Sequence, residues 1–308
     1  MMIMIFIGHN RFGKFLIIRK LLVVNDSVIL TNHNHHKNLR SINLCIIVMT
    51  QTGNLTYPAV FSLEGKLALI TGGGSGIGFD IARCMVESGG RVVITGRREE
   101  PLKEAVQALG ERAHYQVNDV TDRESLEELV EKIEVELGPI DILVNNAGIN
   151  MKKPALEVSD ADFDRIVHTN LNSVFSLTRT CAQRMMARQR GSIIMISSMA
   201  AYYGIDRVAA YAASKSGVEG MVKVLASEFS GNGVRVNSIA PGFIETAMSK
   251  TAMSGDPDRF ARAMRRTPMG AFGKPSDIGW AAVFLASEAA RYVTGVSLPV
   301  DGGNSIGF

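Results

Sequence analysis

The 308-residue chain is 46% apolar and 20% charged, enough to bury the core of one large α/β domain or two modest ones. Its net charge of +3 is unevenly placed: residues 1–60 hold six basic residues against the single acid Asp26, and everything after them sums to −2. A body so near neutrality carries no electrostatic footprint for nucleic acid. Three scattered cysteines, and six histidines of which four lie in the first 60 residues, exclude a disulfide framework or a metal centre.

The opening stretch "MMIMIFIGHNRFGKFLIIRKLLVVNDSVIL" is apolar and basic, but Arg19–Lys20 and Asn25–Asp26 interrupt every run. It holds no transmembrane span of 18 apolar residues. Its basic residues follow the apolar run instead of preceding it, the reverse of a secretory signal. An organelle presequence is one reading. The simpler one starts the protein at Met49 and makes residues 1–48 a start-site artefact or a poorly ordered stretch, within an N-terminal extension that ends at residue 60. The expected setting is cytoplasmic, with no membrane and no nucleic acid as partner.

From Gly65 onward, short β-branched runs alternate with amphipathic segments. Strands are predicted over 66–71, 91–95, 114–118, 141–146, 192–197, 234–240 and 296–300. Most of these runs are almost continuously apolar, as in strands covered on both faces. Helices are predicted around 77–89, 99–109, 122–137, 160–189, 208–230 and 276–289, with starts at Thr121–Asp122 and Ser159. This alternation predicts a parallel sheet between helices. The connection 241–275, rich in Gly and Pro, breaks the rhythm and has the length of a mobile lid.

"TGGGSGIG", Thr71 to Gly78, follows the first of these strands and opens the first helix. Gly72, Gly76 and Gly78, with Ser75 and Ile77 between them, form a turn whose backbone N–H groups suit a pyrophosphate at a helix N-terminus. At the end of the next strand, "VITGRREE" places Gly96 where an acid would select the ribose hydroxyl of NAD. Arg97 and Arg98 follow, favouring the 2′-phosphate of NADP(H) over NAD(H); pairing with Glu99 or Glu100 is the competing use of these arginines. "YAASK" sets Tyr211 and Lys215 four residues apart on one helix face. Such a cation is expected to lower the phenol's pKa from about 10 toward neutrality.

Taken together, "TGGGSGIG", "NNAG" (145–148), Ser198 thirteen residues before Tyr211, "YAASK" and "DGG" (301–303) resemble the short-chain dehydrogenase/reductase family over residues 61–308. The resemblance implies one Rossmann-like, doubly wound α/β domain with a seven-stranded parallel sheet. It implies Tyr211 as general acid–base, Lys215 as its partner, Ser198 as hydrogen-bond donor to the substrate oxygen and Asn170 as support for a water relay to the lysine. Ser197 is the neighbouring alternative to Ser198. Asp119 and Val120 would contact adenine. Asn145, Ala147 and Gly148 would line the fourth strand's end, and Pro241, Gly242, Ile244 and Thr246 the nicotinamide side.

The partner is then a small carbonyl or alcohol, and family habit implies a homotetramer. Two groups within the family are similar. The 3-oxoacyl-(acyl-carrier-protein) reductases share "PGFIET", but Gln189 and Asn232 stand where they would carry arginines for an acidic carrier, with Arg188 and Arg190 flanking the first. The gluconate 5-dehydrogenase-like group shares "FSLEGK" and "NNAGINMKKPALE", and Lys152, Lys153 or Arg207 would meet a sugar-acid carboxylate. A catalytically silent dinucleotide sensor is the reading of another class, and the intact Asn–Ser–Tyr–Lys set argues against it.

Overall fold

A computed structural model of the chain describes residues 59–246, 249 and 257–307, with four short strands between residues 3 and 29. The chain divides after Thr56 into two units. In the first, β1 (Ile3–Ile7) pairs antiparallel with β2 (Lys14–Ile18), and β3 (Leu22–Val24) with β4 (Ser27–Ile29). The sequence does not foretell these pairs; the residues from 30 to 58, Met49 included, lie outside the described residues.

The second unit is built on seven strands: β5 (Leu67–Thr71), β6 (Arg91–Gly96), β7 (Ala113–Val117), β8 (Ile142–Asn145), β9 (Gly191–Ile196), β10 (Val234–Pro241) and β11 (Ser297–Val300). All pairs are parallel, in the order 11-10-9-8-5-6-7. The helices are α1 (Gly76–Glu87), α2 (Glu99–Leu109), α3 (Ser125–Leu137), α4 (Asp160–Val167), α5 (Ser173–Ala187), α6 (Ala209–Phe229), α7 (Pro257–Arg266) and α8 (Pro275–Ala286). Among the described residues, no helix is long and apolar enough to cross a membrane.

Successive strand residues point to opposite faces. Ala68, Ile70, Ile94 and Val144 pack with α1, α2 and α8, whereas Leu67, Leu69, Val93 and Leu143 pack with α3, α5 and α6. Burial on both faces is why the strands read as unbroken apolar runs. The chain steps outward from β5 to β7, then returns to β8 on the other side of β5. The strand order therefore reverses between β5 and β8, opening a crevice beyond their carboxyl ends.

On one face, α1 and α8 meet closely: a Cβ at Gly279 would lie 2.5 Å from Cys84 Sγ and 2.8 Å from the Asp80 carbonyl oxygen. A backbone oxygen cannot rotate away, so Gly279→Val should push the helices apart. The expected cost is about 2 kcal/mol, read as a Tm lower by roughly 5 °C; a Tm equal to wild type would show that the helices part freely.

Three elements differ from expectation. The predicted helix 160–189 is α4, a π-helical turn at His168–Asn172, and α5. Helix α3 starts at Ser125, not at Thr121–Asp122, because Asp119 Oδ1 accepts from the Thr121 N–H (3.0 Å) and hydroxyl (2.8 Å), closing a turn first. Ser159 does cap α4, its hydroxyl accepting from the Asp162 N–H at 3.2 Å. The connection 241–275 contains α7, which begins at Pro257 and ends in Arg265 and Arg266. Proline at the first helical position and cations in the last turn favour a helix that the Gly and Pro count concealed.

Candidate active site

The crevice is a cleft of about 830 Å³ at the carboxyl ends of β5, β6, β8, β9 and β10, within the range of small-molecule and cofactor sites. Its floor is stapled where β5 meets β8. Thr71 Oγ1 accepts from the Asn146 and Ala147 N–H groups, both at 3.0 Å. In return, Asn146 Nδ2 donates to the carbonyls of Thr71 (2.9 Å) and Gly72 (3.1 Å).

The glycine turn is closed to a side chain at Gly72 and Gly78. Gly72 has φ +66°, and a Cβ at Gly78 would lie 2.3 Å from the Gly72 carbonyl oxygen. Ser75, at the N-cap of α1, makes no side-chain cap bond, which leaves the first-turn N–H groups for a ligand's oxygens. Gly72, Ser75, Gly76, Ile77 and Gly78 all line the cleft. The cradle fits a pyrophosphate.

Beyond the end of β6, Arg97 and Arg98 are exposed on the cleft rim. Their acidic neighbours are engaged elsewhere. Lys103 pairs with Glu99 at 3.3 Å and Glu100 at 3.2 Å, and the Tyr115 hydroxyl donates to Glu99 at 3.0 Å. Among the described residues, neither arginine forms an ion pair. Asp119 and Val120 line the same end. Burial pushes the Asp119 carboxyl up, but the Thr121 hydrogen bonds and the charge of Arg97 outweigh it and hold the group below its ordinary value.

At the other end, Ser198, Tyr211 and Lys215 face one another. Ser198 caps a short 3₁₀ turn, its Oγ accepting from the Ala200 N–H at 3.1 Å. Tyr211 and Lys215 share a face of α6. Lys215 is 4% exposed, and its Nζ donates to the Ile196 carbonyl at 2.6 Å. Burial pushes the Tyr211 phenol above its ordinary value, and the hydrogen bond with Ser198 offsets this only in part. The expectation of a lowered phenol is thus corrected. The ammonium lies 5.7 Å from the ring centroid and spends itself on a β9 carbonyl. The Ser197 hydroxyl, also on the cleft wall, is buried without a partner.

Ala147, Gly148, Pro241, Gly242, Ile244 and Thr246 line the walls. Asn145 does not: its side chain points to the other face of the sheet and donates to Thr178 Oγ1 at 2.9 Å. Strand alternation makes Asn146 the cleft residue instead. Asn170 also stands behind the wall, fully buried in the π-helical turn. Its side chain accepts from the Ile149 N–H and donates to the Ile149 carbonyl, both at 2.8 Å, shaping the loop after β8.

Other lining residues escape the sequence reading: Asn118 and His168 at the Asp119 end, and Ile149, Asn150 and Phe243 toward Tyr211. Phe243 stacks on Phe272 (centroids 5.7 Å), which packs on Phe260 of α7 (5.4 Å). A position just past a strand end would have flagged all of these lining residues but His168, which lies in the π-helical turn. The three cations expected near a substrate are placed differently from one another. Lys153 pairs with Asp162 at 3.5 Å, and its N–H donates to the Arg207 carbonyl at 2.8 Å. Arg207 is exposed at φ +67°, and Lys152 is half-buried.

A family model described as "Enoyl-(Acyl carrier protein) reductase" matches residues 72–305. The chain is 41% identical over 247 residues to the 2-dehydro-3-deoxy-D-gluconate 5-dehydrogenase of Pseudoalteromonas atlantica, covering 79% of this chain and 97% of that relative. It is 40% identical over 246 residues to the 3-oxoacyl-(acyl-carrier-protein) reductase FabG of Thermotoga maritima, covering 78% and 98%. Among solved structures, a gluconate 5-dehydrogenase from Burkholderia cenocepacia, in complex with NADP and tartrate, superposes with TM-score 0.77 at 35% identity, covering 81% of this chain and 99% of that one.

Proposed function

This chain belongs to the short-chain dehydrogenase/reductase family, and from that premise we propose that it interconverts a secondary alcohol and a ketone with NADP(H), on a sugar-acid or polyol substrate such as gluconate and 5-ketogluconate. It is an NAD(P)-dependent oxidoreductase. The observation that carries the proposal is that one cleft holds a phosphate cradle at one end and Ser198, Tyr211 and Lys215 at the other.

NADP(H), when bound, supplies or accepts the hydride. Residues 72–78 would hold its pyrophosphate, Arg97 and Arg98 its 2′-phosphate, and Asp119 and Val120 its adenine. Tyr211 gives a proton to the substrate oxygen in reduction and takes it back in oxidation. The phenol, whose ordinary pKa of about 10 burial pushes higher still, holds that proton at neutral pH until the substrate oxygen takes it. Ser198 donates to the same oxygen, where negative charge develops. Lys215, fixed by the Ile196 carbonyl with its ammonium 5.7 Å from the Tyr211 ring, would hold the nicotinamide ribose hydroxyls beside the phenol.

Substrate preference rests on two features. Arg188, beside Gln189, is engaged internally with Glu134 (2.9 Å) and the Ile140 carbonyl (2.9 Å) and is not spare for an acidic carrier protein, while Arg190, 63% exposed, already neutralises Asp141 (2.6 Å). The Lys153–Arg207 backbone bond also joins the loop of Lys152 and Lys153 to that of Arg207, bringing three cations, set against Asp162 and Asp206, to where a small anion could meet them. Purified protein should oxidise an aldonate or polyol with NADP⁺ at a kcat/KM at least about tenfold above its NADPH-dependent reduction of an acetoacetyl thioester. The reverse order would favour the acyl-carrier reading; no turnover across the panel would favour a silent sensor.

A further inference from the structure

Helix α6 carries a third ionisable group in register with the first two. Tyr211, Lys215 and Glu219 follow at four-residue steps and share one face. Glu219 is half-buried, next in the chain to the core residue Val218. Its carboxylate is clasped from two strands: the Ser238 hydroxyl of β10 donates to Oε1 at 3.0 Å and is 3.1 Å from Oε2, and the Ser297 hydroxyl of β11 donates to Oε1 at 2.9 Å. Ser238 is fully buried. A carboxylate is an expensive way to join a helix to a sheet where an apolar side chain would serve.

Resting on the functional reading above, we propose that Glu219 is a positioning residue for the Tyr211–Lys215 pair: clasped by Ser238 and Ser297, its carboxylate is the fixed counter-charge that keeps Lys215 an ammonium. Among the described residues, the other elements bring Lys215 neutral groups: the Ile196 carbonyl of β9, and Gly148 after β8, against which Asn170 of the π-helical turn also lies. Tyr211 and Glu219 are the titratable groups facing it, both on its own helix. Burial pushes the Lys215 ammonium down to about 8, and the Glu219 charge opposes that shift. Lys215 is therefore charged below about 8 and loses its charge as pH rises through that value. The serine clasp fixes the carboxylate one helical turn beyond the lysine, on the side away from Tyr211.

The test is Glu219→Gln, which keeps an oxygen for both serine hydroxyls and removes the charge. The Lys215 Nζ titration, followed by NMR of nitrogen-labelled lysine, should fall by about one pH unit. The basic limb of NADPH-dependent reduction should move down with it. Glu219→Asp should restore both toward wild type. A Lys215 titration that coincides in wild type and E219Q overturns the inference, as does an equal shift in E219D. If E219Q does not fold, Ser297→Ala loosens the clasp and should give a smaller shift in the same direction; no shift there also overturns it. A wild type without turnover, but with the lysine shift intact, counts against the functional reading alone.

Discussion

Tyr211→Phe is expected to lower kcat by about 10³-fold while NADPH binding stays within roughly twofold of wild type. The phenyl ring retains its place on the cleft wall, since the hydroxyl's hydrogen bond is to Ser198 and no backbone group depends on it. What disappears is the proton that must reach the substrate oxygen as the carbon accepts hydride. Water in the widened site could replace it only weakly, because it is not held there. The phenol, raised above its ordinary value, holds its proton at neutral pH, so the variant loses the group that carries it. Single-turnover reduction and a cofactor fluorescence titration, done side by side, separate the two effects. A kcat within tenfold of wild type would sink the acid–base assignment.

Much of this site was legible because its parts follow strand ends at fixed intervals. The apolar runs marked β5 to β11, and a turn such as 71–78 at the end of the first has few uses other than phosphate binding. The errors have a common origin in geometry that spacing does not encode. "NNAG" does not say which asparagine faces the cleft; the pleat puts Asn146 there and turns Asn145 to Thr178. Four-residue spacing brings Lys215 to Tyr211, but burial and the Ile196 carbonyl, both tertiary facts, set the acidity. The π-helical turn that buries Asn170 breaks helical period within an otherwise regular pattern. Glu219 has no signal in its own stretch of sequence, because β10 and β11 supply its two hydroxyls from further along the chain.

The rim arginines carry the second large effect. Joint replacement of Arg97 and Arg98 by alanine should lower the NADPH-to-NADH ratio of kcat/KM by about 10²-fold or more. A charge-assisted hydrogen bond contributes roughly 1.5–3 kcal/mol, and two such donors meet a dianionic phosphate. NADH efficiency should change little, since that cofactor presents no charge to them. The prediction depends on both arginines being available, and Lys103 secures this by drawing Glu99 and Glu100 to itself on the first turns of α2. Lys103→Ala therefore makes a second, milder test through the same electrostatics. With their cation removed, the two glutamates can turn toward Arg97 and Arg98 and repel a phosphate directly, so NADPH preference should fall severalfold without any change at the rim itself. If the double arginine variant keeps the wild-type ratio, the phosphate is gripped elsewhere, and the Lys103 variant should then be silent as well.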